Sequence, residues 1–172
     1  MLAQSDPLFL IFTFAVLIIS IIVHEVAHGY AANSLGDPTA KLSGRLTLNP
    51  IPHIDLVGSI LVPAFLVISN AGILFGWAKP VPYNPYTLRT QRWGEAIVAA
   101  AGSLTNLFFA ILFGLIVRFG AGTLPVPFIN IATIASFVNL FLGLFNLIPL
   151  PPLDGYTALR GLPFRSEELL EA

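Results

Sequence analysis

Apolar residues fill positions 8–23 with only Thr13 and Ser20 interrupting, and the run passes directly into His24, Glu25 and His28. About 20 apolar residues are what an α-helix needs to cross the hydrocarbon of a bilayer. Asp6 and Pro7 suit the start of such a helix, the first as a cap for free N–H groups, the second because the first turn does not need the N–H that proline lacks. The helix is expected to continue to Leu35 and stop at Gly36. At 1.5 Å per residue, His24 then stands roughly 26 Å from Pro7, near the far side of a core about 30 Å thick.

Residues 96–119 and 126–148 are two further apolar spans, separated by the short turn GAGTLPVP. Residues 54–75 form another apolar segment, broken by Pro63, Ser69, Asn70 and Gly72. In KLSGRLTLN, residues 41–49, apolar and polar positions alternate and put Leu42, Gly44, Leu46 and Leu48 on one side, the pattern of a strand. WAKPVPYNPY, residues 77–86, is too proline-rich for a helix and reads as an extended piece with aromatics suited to a membrane interface. The expectation is an all-α polytopic membrane protein, with three or four transmembrane helices plus a re-entrant segment and a short β element. Residues 1–172 read as a single domain.

Composition narrows the class. Of 172 residues, 10% are charged and 56% hydrophobic, where soluble chains carry about 25% charge; the mean hydropathy is +0.84. A net charge of −1 gives no footing for nucleic acid, so none is expected as a partner. With no cysteine, disulfides, thiolate zinc sites and cysteine nucleophiles are excluded. No Lys or Arg precedes the first apolar run, and no small-residue cleavage site with a soluble domain follows it, so that segment is expected to stay as a membrane helix.

Charge placement bears on topology. If all four apolar segments cross, the C-terminal ends of the first and last helices emerge on opposite sides, and the ionisable groups near them could meet only at mid-membrane. If residues 54–75 re-enter instead, Lys41, Arg45, Lys79, Arg89, Arg92, Arg160 and Arg165 share one side and only Arg118 lies on the other. Because the Lys/Arg-rich side is normally cytoplasmic, the expected arrangement has three true crossings in the plasma membrane, the N-terminus outside, and the site facing the cytoplasm.

The chemistry centres on His24-Glu25-Val26-Ala27-His28, an H-E-x-x-H pattern. On a helix, positions i and i+4 share a face, so both imidazoles can bind one metal while the adjacent glutamate reaches a water on that metal. A tetrahedral zinc site of this kind needs a third protein ligand. Asp154 is the candidate: an isolated acid in LDGY, directly after a helix broken by Pro149, Pro151 and Pro152. A carboxylate near hydrocarbon is costly unless it meets a cation. The plainer roles for Asp154 are a helix cap or a partner for Arg160. Gly29, Ala31, Ala32 and the run 99–102 would let helices pack closely around the site. Asn106, Asn139 and Asn146 suit hydrogen bonds between helices, and His53 with Asp55 suits the entry to a helix.

HEVAHG near the end of a membrane helix, followed far downstream by NLIPLPPLDG, resembles the site-2 protease family of intramembrane zinc metalloproteases. AGSLTN, residues 101–106, is similar to that family's small-residue helix motif, and LTLNPIPHID and GWAKPVPYNP resemble its compact prokaryotic branch. The likeness runs from Ile11 to about Gly161. It implies one catalytic zinc held by His24, His28 and Asp154, with Glu25 as general base and Asn146 helping to hold the substrate or the developing oxyanion. The chain departs from the family pattern at Ser103, where proline is common, and at Tyr156, where a second glycine is common. It also ends in RSEELLEA where compact members continue with hydrophobic sequence, which reads as a shortened C-terminus.

The expected activity is therefore hydrolysis of peptide bonds within or near transmembrane segments of a membrane-protein substrate, in contact with the lipid bilayer. The strand at residues 42–48 is expected to offer an edge to the unwound substrate, with residues 77–85 as the opposite wall. Regulation is expected from a membrane partner, prior trimming of the substrate or the membrane itself. A different class stays open at this point: an ion transporter or channel lined by His, Glu and Asp, although no inverted repeat is visible. A catalytically idle scaffold is the third reading.

Overall fold

Small and polar side chains make up much of the interior of this molecule, beside a few larger apolar ones such as Ile22, Leu88 and Val98. The computed structural model describes residues 7–69, 77–90 and 93–162. Within them, the long helices are α1 (Pro7–Ser34), α4 (Gly94–Gly120) and α5 (Val126–Asn146). Short helices α2 (Thr39–Leu42), α3 (Val62–Ile68) and α6 (Asp154–Arg160) complete the set. Among the described residues there is no strand.

Three helices are long and apolar enough to cross a membrane: Ile11–Ser34, Gly94–Gly120 and Val126–Asn146. They pack on one another, with α4 against α1, α5 and α6. The buried positions of α4 include Ala99, Gly102, Ser103, Asn106 and Ala110, and those of α5 are Ala132, Ala135, Asn139 and Gly143. Both sets repeat at helical spacing, so each helix turns one narrow, small-residue face inward. Large residues such as Ile19, Phe108, Ile111, Phe137 and Phe141 point outward. Exposed apolar surface on this scale needs a covering medium, and helices of this length and composition suit lipid.

Hydrogen bonds set the register between helices. Asn139 Nδ2 of α5 donates to Ser20 Oγ of α1 at 2.9 Å, and Ser136 Oγ donates to Ala110 O of α4 at 2.8 Å. The expected role of Asn139 between helices is therefore met. Asn106 is fully buried, yet neither of its amide atoms has a partner among the described residues.

The expected strand at residues 41–49 is not formed. Thr39–Leu42 makes one helical turn, and Gly44 follows at φ +66°, a left-handed conformation that glycine adopts readily and that ends extended pairing. Local side-chain bonds then compete with a ladder: Thr47 Oγ1 accepts from Asn49 N–H, and Asn49 Oδ1 from Ile51 N–H. The alternation was misleading at Arg45, which reads as an outward polar position yet is only 7% exposed, while Leu42 is 81% exposed. The substrate edge expected at residues 42–48 goes with the strand.

Residues 56–61 wind as a π-helical stretch that leads into α3. Asp55 caps it, its Oδ1 accepting from Val57 N–H at 3.1 Å and Gly58 N–H at 2.7 Å, as expected of an acid at a helix entry. Residues 70–75, which would carry the return of the expected re-entrant segment, lie outside the described residues, as does Asp6.

Candidate metal centre

The end of α1, the start of α4 and the start of α6 meet at one end of the helix bundle. His24 and His28 lie one turn apart on α1 and are both buried; their Nε2 atoms stand 3.0 Å apart. Asp154, the first residue of α6, brings its Oδ2 to 2.9 Å from His24 Nε2 and 3.3 Å from His28 Nε2. The three donor atoms thus enclose a single point. Ligands about 2.0–2.2 Å from a tetrahedral zinc ion are spaced by roughly 3.3 Å, so this donor set fits that metal.

The surroundings support ligation. His28 Nδ1 lies 2.7 Å from Val98 O of α4, a contact that assigns the proton to Nδ1 and leaves the Nε2 lone pair for a metal. Asp154 serves neither plainer role. The cap position of α6 is Leu153, with no side-chain cap, and Arg160 pairs instead with Glu95 at 3.3 Å.

Gly102 explains how α4 can approach. A Cβ at that position would lie 2.5 Å from His28 Nε2 and 2.7 Å from His24 Nε2, so a side chain there would occupy the space of the donors. The small-residue run expected to permit close packing does so at the site itself.

Glu25 is half-buried beside the histidines, and its Oε2 accepts from Val81 N–H at 2.9 Å. Val81 belongs to a strap, residues 77–84, that has no regular secondary structure, as its prolines predict. Arg45 Nη2 donates to Lys79 O at 2.6 Å and to Pro80 O at 3.2 Å. Lys79 N–H donates to His53 O at 2.9 Å. At the far end of the strap, Asn84 N–H donates to Asp37 Oδ2 at 2.7 Å.

Of the residues singled out from sequence, His24, His28 and Asp154 come together, and Glu25 follows His24 on α1 with its carboxylate on Val81 N–H. Asn146 does not join them by any polar contact among the described residues; its Nδ2 donates to Leu142 O of its own helix at 3.0 Å. Val81, Arg45 and Val98 were not anticipated. Arg45 carried a usable signal, since a cation in a chain with so few of them calls for a partner. The carbonyl of Val98 and the amide of Val81 are main-chain groups, which no residue type announces.

Three of the relatives found by comparison share one description. The chain is similar to proteins named as zinc metalloproteases. It is 44% identical over 153 residues to "Putative zinc metalloprotease YwhC" of Bacillus subtilis, covering 85% of this chain and 66% of that protein. It is 34% identical over 144 residues to "Putative zinc metalloprotease Rip2" of Mycolicibacterium smegmatis, covering 83% of this chain and 53% of the relative. A 68-residue stretch is 40% identical to "Putative zinc metalloprotease MJ0611" of Methanocaldococcus jannaschii, covering 39% and 34%. The chain thus spans from about half to just under two thirds of the length of the first two. No family model and no solved structure matches it.

Proposed function

We propose that this protein is an intramembrane zinc metalloendopeptidase of the site-2 protease kind, hydrolysing peptide bonds within or near transmembrane segments of membrane-protein substrates. The observation that carries the reading is the closure of His24, His28 and Asp154 onto one point beside Glu25, at the end of a helix apolar enough to cross a membrane. When bound, zinc supplies a Lewis acid for the scissile carbonyl and makes its water acidic enough to attack near neutral pH. Glu25 takes the proton of the attacking water and returns it to the leaving amine. His28, fixed through Val98, and His24 would hold the metal from one helix and Asp154 from another. Asn146 stands at the end of α5 and is assigned to substrate binding on resemblance alone.

The cation distribution favours a cytoplasmic site in the plasma membrane. Lys41, Arg45, Lys79, Arg89 and Arg160 belong to segments at the metal-centre end of the bundle, and Arg118 lies in the last turn of α4 at the other. An ion pathway draws less support. Within α1, α4 and α5, apart from Arg118, the acidic, basic and imidazole side chains described are His24, Glu25, His28 and Glu95, all toward one end, and none continues a path across the bilayer.

The test is zinc content by elemental analysis of detergent-purified wild type, His28→Ala and Asp154→Ala, with folding checked by circular dichroism, followed by cleavage of a transmembrane peptide. One zinc per wild-type chain, loss in both variants, and cleavage abolished in Glu25→Gln with zinc retained is the expected result. Zinc kept without Asp154, or a zinc-loaded wild type that cleaves no membrane peptide, would overturn the proposal.

A further inference from the structure

Val81 lies between Pro80 and Pro82, so the strap carries a single amide N–H between those of Lys79 and Tyr83. That one donor goes to Glu25 Oε2. The main chain just before it is already committed: Lys79 N–H to His53, and the carbonyls of Lys79 and Pro80 to Arg45. The Val81 side chain is only 6% exposed and seats against α1 over Gly29. Beyond it, Asn84 N–H is held by Asp37, and Arg89 N–H donates to Leu35 O at 2.7 Å. These bonds anchor the strap on either side of Val81.

A glutamate side chain has three rotatable bonds, and a half-buried one samples several orientations unless something holds it. An N–H on Oε2 restrains one carboxylate oxygen and does not engage Oε1. We propose that the main-chain N–H of Val81 is the positioning donor for Glu25. Arg45 and His53 hold the strap at the height where that N–H meets the carboxylate. The proposal rests on the reading of Glu25 as general base, where a misplacement of about 1 Å can cost on the order of 100-fold in rate. It requires nothing of the residue type at 81 beyond an N–H and a side chain that fits over Gly29.

Two measurements test it. The first compares Val81→Pro, which deletes the donor, with Val81→Ala, which keeps it and trims the side chain. A third proline in a Pro-Val-Pro run suits the polyproline backbone that such a sequence already favours. In the zinc-loaded protein, kcat of Val81→Pro on a transmembrane peptide should fall at least tenfold, with KM within twofold and zinc content unchanged. Val81→Ala should retain at least five times the kcat of Val81→Pro. Equal loss in both variants would assign the effect to side-chain packing and overturn the proposal. A faster Val81→Pro would make the strap a latch on Glu25 and overturn it too.

The second measurement needs no catalysis or metal. Hydrogen exchange of the Val81 amide in the full chain, stripped with chelator, should speed up at least tenfold in Glu25→Ala while the Lys79 amide, held by His53, stays unchanged. Equal exchange at Val81 in both proteins would overturn the contact. If the wild type cleaves nothing, the proteolytic reading fails on its own, and the exchange experiment still decides whether Val81 holds Glu25.

Discussion

Gly102 of α4 faces His28 of α1 so closely that a methyl group on it would stand 2.5 Å from the Nε2 donor. Gly102→Ala is therefore expected to push the two helices apart or turn the imidazole, while leaving the lipid-facing surface untouched. Overpacking of this kind costs about 1–3 kcal/mol, equal to roughly 5- to 150-fold in an equilibrium constant. Zinc retention against a chelator should weaken by that factor, with a near-native helical spectrum. Unchanged zinc affinity would mean that α4 moves without disturbing the ligands.

Asp37 closes the turn after α1 and should make stability depend on pH. It is fully buried; its Oδ1 accepts from both the amide and the hydroxyl of Thr39, and its Oδ2 from Asn84 N–H. Burial opposes ionisation, but bonds from Thr39, Asn84 and Thr87 outweigh it and hold the carboxyl below its ordinary value. A depressed folded pKa contributes stability above the unfolded value of about 3.9, and the contribution disappears as pH falls through the folded value. Asp37→Asn would set an amide N–H or a neutral oxygen where a carboxylate accepts, a loss of about 1.5–3 kcal/mol near pH 7. Thermal unfolding in detergent should show that gap between variant and wild type shrinking below about pH 4. A gap that is constant from pH 7 to 3 would count against a charged Asp37.

What could be read from sequence follows from how local each signal is. The spans of α1, α4 and α5 are continuous apolar runs, and His24 and His28 announce themselves by a spacing that one helix turns into one face. Asp154 was legible although it lies 126 residues beyond His28, because an isolated acid after a proline-broken membrane helix needs a cation. The strand at residues 41–49 failed because four alternating apolar positions, one of them glycine, carry little energy without a partner strand to bury them. Arg45 then turned inward, where strap carbonyls replace the water it would lose. The bond from Val81 to Glu25 joins positions 56 apart through a main-chain donor, and no pattern of side chains encodes that.

Arg45 should matter to catalysis without touching the metal ligands. Its guanidinium is buried and holds the carbonyls just before Val81 at 2.6 and 3.2 Å. Removing a charged donor from two carbonyls costs about 1.5–3 kcal/mol. Arg45→Ala is expected to keep one zinc per chain, lose several-fold in kcat on a transmembrane peptide, and open the strap to limited proteolysis near Lys79. Loss of zinc together with activity would show instead that Arg45 supports the whole site.

Ser20 and Asn139 form a polar pair one helical turn from His24, and their substitutions should separate hydrogen bonding from packing. Asn139 Nδ2 donates to Ser20 Oγ at 2.9 Å and also to Ala135 O at 2.8 Å, so losing the serine leaves the amide a partner in its own helix. Hydrogen bonds between membrane helices average about 0.6 kcal/mol, and Ser20→Ala should cost no more than that. Asn139→Leu removes both of these bonds and sets two methyl groups, each bulkier than the amide atom it replaces, in an interface whose other buried residues on α5 are alanine and glycine. Overpacking there is expected to cost about 1–3 kcal/mol. Unfolding of both variants in bicelles would read the difference. If Ser20→Ala proved as damaging as Asn139→Leu, the bond itself, and not the fit of small residues, would be what holds α1 against α5.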